Sequence, residues 1–262
     1  MHVAGRASKE IGLPMVAEIM NAAGPKESGA VQLIHDNEGN GQSLMISGAW
    51  RLWFEHPPAT GSQIQFASVP PAGNTNPDHC FEIHPVIKIG SQDVTESLLP
   101  IQGFTPKDPE KAFGAYEKLS VTLRATASSV TLNSTKAGFN YVRFTMRATS
   151  RRTTLKDGGF AFLADVAVEG GDEDESLAHN VRMIFVPGSD PWKKVQSNFQ
   201  DGDELEVLGI PRINLNAISS LLKVAGNTTV TRKLPYEMIV VALEGDDQPA
   251  ANPSRAGRGG KR

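Results

Sequence analysis

The chain has 262 residues, 39% of them apolar and 21% charged, with a net charge of −3, which are the values of a globular protein and exclude a fibrous or wholly disordered one. No apolar run approaches the ~18 residues of a membrane-spanning helix, and a single cysteine excludes a disulfide framework. The small net charge conceals blocks: residues 1–100 carry 5 Lys/Arg against 10 Asp/Glu, residues 110–156 carry 9 against 2, and residues 157–206 carry 3 against 12. That pattern excludes a uniformly basic nucleic-acid coat and leaves one basic segment suited to an anionic ligand.

Residues 1–30 read as an irregular lead-in. Glu10, Pro14 and Glu18 interrupt any apolar h-region, so no signal peptide is expected, and the lone cysteine suits a reducing compartment. A cytoplasmic protein without membrane partners is the expectation. Gln32–His35, Ser43–His56, Ser62–Val69 and His79–Ile89 are predicted strands of a first β domain over 31–100, with VPPAGNTNPD (69–78) a loop. Residues 91–112 show little periodicity and three prolines, so the boundary falls there.

The second domain, 113–244, is predicted to contain strands over Leu119–Leu132, Phe139–Thr149, Phe160–Val168, Asn180–Val186, Asp203–Ile210 and Tyr236–Leu243. Lys156-Asp157-Gly158-Gly159 is a hairpin turn. Helices are expected from Pro191 to about Phe199 and over Asn214–Ala225, the second capped by Asn214. Residues 245–262 have the composition of a disordered basic tail ending in RAGRGGKR, similar to short RGG segments that contact nucleic acid.

Strands, a connecting helix and further strands form the order of a five-stranded Greek-key barrel. GDELEVLGIPR (202–212), placed after a short helix and before a last strand, resembles the fourth strand of OB-fold (oligonucleotide/oligosaccharide-binding) proteins. SLMISGAWRLWFEHP with HCFEIHPVIKI is similar to strands of bacterial OB-like domains of unknown function that carry an E-I-H-P strand. The resemblance implies a mostly-β protein of two OB-like Greek-key β-barrels with short connecting helices. It carries over no catalytic residues.

Two clusters are candidates for function. In FNYVRFTMRATSRR (139–152), period-2 alternation puts Tyr141, Arg143, Thr145, Arg147 and Thr149 on one strand face and Val142, Phe144, Met146 and Ala148 on the other. Aromatic and guanidinium groups along a polar face suit single-stranded nucleic acid, and Arg151, Arg152 and Lys156 extend the charge into the next turn. The competing reading is a solvated face with cross-strand ion pairs to Asp165 or Glu169. On the strand at 50–55, Trp50, Leu52 and Phe54 are expected in the core. Arg51 and Trp53 are then either an accessory stacking platform or buried between the domains. Arg212 is expected to be structural or to line the barrel mouth, and Glu237 to pair with an arginine.

The second cluster holds His56, His79, Cys80, Glu82 and His84, with Glu55 nearby. Alternation puts Cys80, Glu82 and His84 on one face and His79 on the other. His and Glu can hold a divalent metal such as zinc and its water, but both E-H-P and I-H-P histidines precede a proline, where structural hydrogen bonding is the commoner role. The favoured function is therefore a non-catalytic module for single-stranded DNA or RNA, with no cofactor. A metal-dependent hydrolase or nuclease using the cluster at 55–84 is the first alternative. The second is a structural subunit bound to another protein or to copies of itself.

Overall fold

The computed structural model describes residues 1–6, 14–24, 27–56, 79–101, 103–126, 130–134, 138–168, 176–197, 199–226 and 228–243. The strand expected over Ser62–Val69, the loop at 69–78, Glu169 and the tail at 245–262 lie outside the described residues.

The lead-in is structured. β1 (His2–Arg6) and β2 (Pro14–Glu18) pair antiparallel, with His2 opposite Glu18. Gln32–His35 is not a strand but part of α1 (Ser28–Asn37), whose buried residues Ala30 and Ile34 stand four apart. That is helical spacing, invisible in a four-residue window. β3 (Ile46–His56) and β4 (His79–Ile89) follow as antiparallel partners, with the short β5 (Gln92–Asp93) on β4. The sheet runs β1-β2-β4-β3, with β2 parallel to β4. β3 approaches β4 so closely at Gly48 that a Cβ there would lie 2.3 Å from the Pro85 carbonyl oxygen, which accounts for a glycine inside a long strand.

The aperiodic stretch before the second half contains α2 (Pro109–Tyr116). Asp108 accepts a hydrogen bond from the Lys111 backbone N–H at 2.9 Å and proline opens the first turn, the usual chemistry of a helix start. The strand expected over Leu119–Leu132 is two paired strands, β6 (Ser120–Ala125) and β7 (Val130–Ser134). Then come β8 (Val142–Ala148), β9 (Thr153–Thr154), β10 (Phe160–Ala167), β11 (Ala178–Phe185) and α3 (Asp190–Ser197). β12 (Glu204–Ile213), α4 (Leu215–Ala225), β13 (Val230–Lys233) and β14 (Tyr236–Leu243) complete the order. Asn214 caps α4 through the Ala217 N–H, as expected.

β8 pairs with β10, β10 with β11, β11 in parallel with β14, β14 with β12, and β12 with β8. The result is a closed five-stranded barrel with a helix between its third and fourth strands, compatible with an OB-like barrel. The protein is mostly β, with four short α-helices and additional sheets among the described residues. Alternating side chains such as Phe144, Met146, Phe162, Met183 and Met238 fill the barrel, and Phe113 and Tyr116 of α2 pack into the same core.

The first half packs on the outside of this barrel. Outward residues Leu208 and Ile210 of β12 and Ile239 and Val241 of β14 form one apolar cluster with Met20 and Leu98, flanked by Ala49 and Ile87. Burial on both faces explains why seven consecutive residues of β14 are inaccessible and why its sequence reads as a continuous apolar run. No helix among the described residues is long and apolar enough to cross a membrane.

Candidate functional site

The basic strand alternates as its sequence predicts. Val142, Phe144, Met146 and Ala148 are buried, while Arg143, Thr145 and Arg147 point outward and are partly accessible. This outward face is flanked by carboxylates. Register sets Asp165 opposite Arg147 on one side and Glu204 on the other, with Arg147 Nε 3.7 Å from Glu204 Oε1, and Glu206 stands opposite Thr145. Asp165 also lies 3.3 Å from His179 Nδ1.

Tyr141 is not on that face. Its φ of 54° turns it out of the strand's alternation, and it is 6% exposed. Arg152 is committed elsewhere as well. Its guanidinium donates to the carbonyls of Val195 and Gln196, where the end of α3 leaves carbonyl groups without helical partners. It also lies 4.4 Å from the Phe160 ring centroid, and Phe160 stacks on Trp192 at 5.4 Å. Arg152 thus fastens the β8–β10 connection to α3. Arg151 and Lys156 remain exposed on that connection.

The accessory platform is also corrected. Arg51 and Trp53 are 0% and 1% exposed, and the Trp53 ring meets Tyr116 edge-on at 5.6 Å within the core. Burial at the junction of the two halves, the other reading of this pair, is what occurs. Trp50, expected inside, is 44% exposed and packs edge-on against Phe81. The pairing of β3 with β4 is irregular between Gly48 and Trp50 and again between Leu52 and His56, and such irregularities re-aim side chains.

The His/Glu cluster forms a buried ion network at the junction. Arg51 donates through Nη1 to Glu82 Oε2 at 2.7 Å and to Glu55 Oε2 at 3.2 Å, through Nη2 to Asn140 Oδ1 at 2.6 Å, and through Nε to the Pro211 carbonyl at 2.7 Å. Glu82 also meets His79 Nε2 at 2.9 Å and His84 Nδ1 at 3.3 Å. His84 Nδ1 is 3.1 Å from Glu18 Oε2, and its Nε2 is 2.7 Å from the Tyr141 hydroxyl, which donates to Glu18 Oε1 at 2.9 Å. With the hydroxyl proton directed to Glu18, His84 Nε2 must donate to Tyr141, while Nδ1 faces carboxylate oxygens. Glu82 and His84 share a face as alternation predicts, and the irregular end of β3–β4 brings His79 to them. The side chains of His56 and Cys80 lie outside the described set.

Burial opposes ionisation of Glu18, but the His84 and His2 imidazoles and the Tyr141 hydroxyl outweigh it and hold its carboxyl at about 2. Burial likewise opposes ionisation of Glu82, yet Arg51, His79 and His84 hold it well below the usual carboxylate range. Burial, then Glu18, pushes the Tyr141 hydroxyl well above its ordinary value, so it stays a donor. A hydrogen bond to Glu18 raises His2 above 6.5.

These directions set a pH window. The depressed carboxylates stabilise the fold above an unfolded value of 4.5, and that stabilisation is lost as pH falls towards about 2. The raised His2 stabilises it below 6.5 and stops doing so as pH rises through its folded value. Thermal melts are expected to show stability falling as pH drops from 4.5 towards about 2, as the buried carboxylates protonate. A flat profile from pH 3 to 8 would contradict the network.

Chemically, this cluster holds the halves together. His84 is wholly buried, so no substrate reaches its ring. Arg51 Nη1 donates to Glu82 Oε2, and among the described residues no group of three or more His, Cys, Asp or Glu is placed to hold a metal ion.

A second charge arrangement lies outside the barrel. Glu237 of β14 receives Arg182 Nη1 from β11 and Arg212 Nε from β12, both at 2.6 Å, and Arg212 Nη1 reaches the Trp50 carbonyl at 2.8 Å. The arginine partner expected for Glu237 is thus present twice. Arg182 carries no sequence signal of its own, because its role depends on a parallel pairing between strands fifty residues apart. No protein-family model, curated protein or solved structure matches the chain.

Proposed function

We propose that the protein is a non-catalytic module that binds single-stranded nucleic acid on the uncovered outer surface of its barrel. The observation that carries this reading is which surface stays open. The first half covers the outside of β12 and β14, whereas the β10–β11 surface keeps Leu163, His179 and Asn180 exposed, and the β8–β10 connection exposes Arg151 and Lys156. In OB-like barrels the second and third strands and the connection between the first two bind oligonucleotides, and these are the corresponding parts. Arg151 and Lys156 neutralise phosphates, with Arg143 and Arg147 on the adjoining strand face. Tyr141 and Trp53, being buried, take no part in stacking. The single cysteine fits action in a reducing, cytoplasmic setting.

Fluorescence anisotropy with labelled single- and double-stranded oligonucleotides at several salt concentrations tests the reading. Tighter binding of the single strand, weakening with salt, is expected. Arg151→Ala with Lys156→Ala should reduce the log–log salt slope by about 1.4, at ~0.7 per phosphate contact on a single strand. Absence of binding at low salt would overturn the proposal.

A further inference from the structure

We propose that the bound strand is not confined to the barrel but crosses onto the first half along a row of outward side chains ending at Trp50. The inference rests on the nucleic-acid reading above and extends its site. Leu163 of β10 stands opposite Arg182 of β11, Arg182 opposite Glu237 of β14, and Glu237 opposite Arg212 of β12. The neighbours of each, among them Phe162, Met183, Met238 and Ile213, lie in the barrel core, so all four side chains of the row face outward. Arg212 then joins the row to Trp50 of β3 through its hydrogen bond to the Trp50 carbonyl.

One register step away, Ala161, Ile184, Ile239 and Ile210 form a parallel row that is almost wholly buried. The charged row is less covered, the Arg182 and Arg212 side chains keeping 24% and 19% exposure. Its far end meets the β8–β10 connection, because the Leu163 N–H donates to Ser150 Oγ and its carbonyl accepts from the Thr149 N–H, both at 2.8 Å. Arg151 follows directly. The exposed connection, Arg182 and Arg212 thus lie along one line, and Arg212 ties its end to the backbone of β3 at Trp50, whose ring is exposed.

The chemistry of this line suits a single strand. Glu237 is 3% exposed and engages each guanidinium with one oxygen, which orients both arginines and leaves each with N–H groups for a phosphate. Two positive charges against one negative leave the row cationic. Leu163 and Trp50 are 39% and 44% exposed, giving apolar surface at both ends, and an exposed indole is a surface on which a base stacks. From Leu163 to Arg212 the row crosses three strand spacings, about 14 Å at ~4.8 Å each. That span corresponds to roughly four stacked nucleotides at ~3.4 Å.

Anisotropy with fluorescein-labelled dT15 tests the inference, each variant being checked for an unchanged thermal melt. Trp50→Ala is expected to weaken binding about fivefold or more, and Trp50→Phe to restore most of it. Arg182→Gln combined with Glu237→Gln, which removes a guanidinium without leaving a buried carboxylate short of a partner, should weaken binding and lower the salt slope. If wild type binds and Arg151→Ala with Lys156→Ala weakens it, while the Trp50→Ala variant binds as wild type, the track stops on the barrel and the inference fails alone. If wild type does not bind dT15, the functional reading fails with it.

Discussion

Replacing Arg51 with alanine is expected to lower stability by about 3–5 kcal/mol, the cost typical of removing one partner from a buried ion pair. In a protein of this size that corresponds to a drop of about 10 °C in melting temperature. The guanidinium is wholly buried and serves four acceptors from both halves: Glu82, Glu55, Asn140 and the Pro211 carbonyl. Without it the buried Glu82 carboxylate has only His79 and His84 to offset its charge. Arg51→Lys should recover little, since one ammonium cannot span the positions that three guanidinium nitrogens fill. Glu82→Gln in the Arg51→Ala background should recover part of the loss by removing the stranded charge. Denaturant unfolding of wild type and the three variants measures this, and a loss below about 1 kcal/mol for Arg51→Ala would show that the network does not hold the halves together.

Phe113→Ala is expected to cost a similar amount, about 3–5 kcal/mol, by a different route. Phe113 is wholly buried and makes edge contacts with Phe144 at 5.1 Å and Tyr116 at 5.5 Å, and tilts against Tyr236 at 6.4 Å. It joins α2 to the barrel core. Deleting the ring leaves a cavity bordered by rings fixed on β8, α2 and β14, which cannot collapse without moving strands of a closed barrel. Phe113→Leu retains most of the volume and should cost about 1.5 kcal/mol or less. Equal stability of the alanine and leucine variants in denaturant unfolding would mean that the ring fills no void.

Where local pattern decides structure, the sequence is informative. The strict alternation of Val142–Ala148 correctly separates core from surface, Asn214 marks a helix start, and the apolar run of 236–243 marks a strand buried on both faces. Where pairing decides, it is not. Trp50 leaves the core expected for it, and of the two readings of Trp53 burial is the one that holds, because β3 and β4 pair irregularly where their backbones approach at Gly48 and Pro85. Tyr141 leaves its strand face through a single positive φ. Arg152 looks like one more positive charge in a basic run until the end of α3 arrives beside it. The His/Glu cluster was legible as a cluster, but its central member, Arg51, and its links to Glu18 and Tyr141 come from elements distant in sequence.

The order in which strands enter the barrel bears on how the molecule is made. The barrel closes only when β14 inserts between β11 and β12, and β14 follows every other strand among the described residues. It also supplies Ile239 and Val241, half of the outward apolar surface on which the first half rests. On a ribosome, the first half therefore emerges long before its docking surface exists, and its own apolar side chains wait for a strand more than a hundred residues downstream. Such delayed, long-range closure makes for slow folding and a prolonged open intermediate. A chain truncated ahead of residue 236 should expose both apolar surfaces at once.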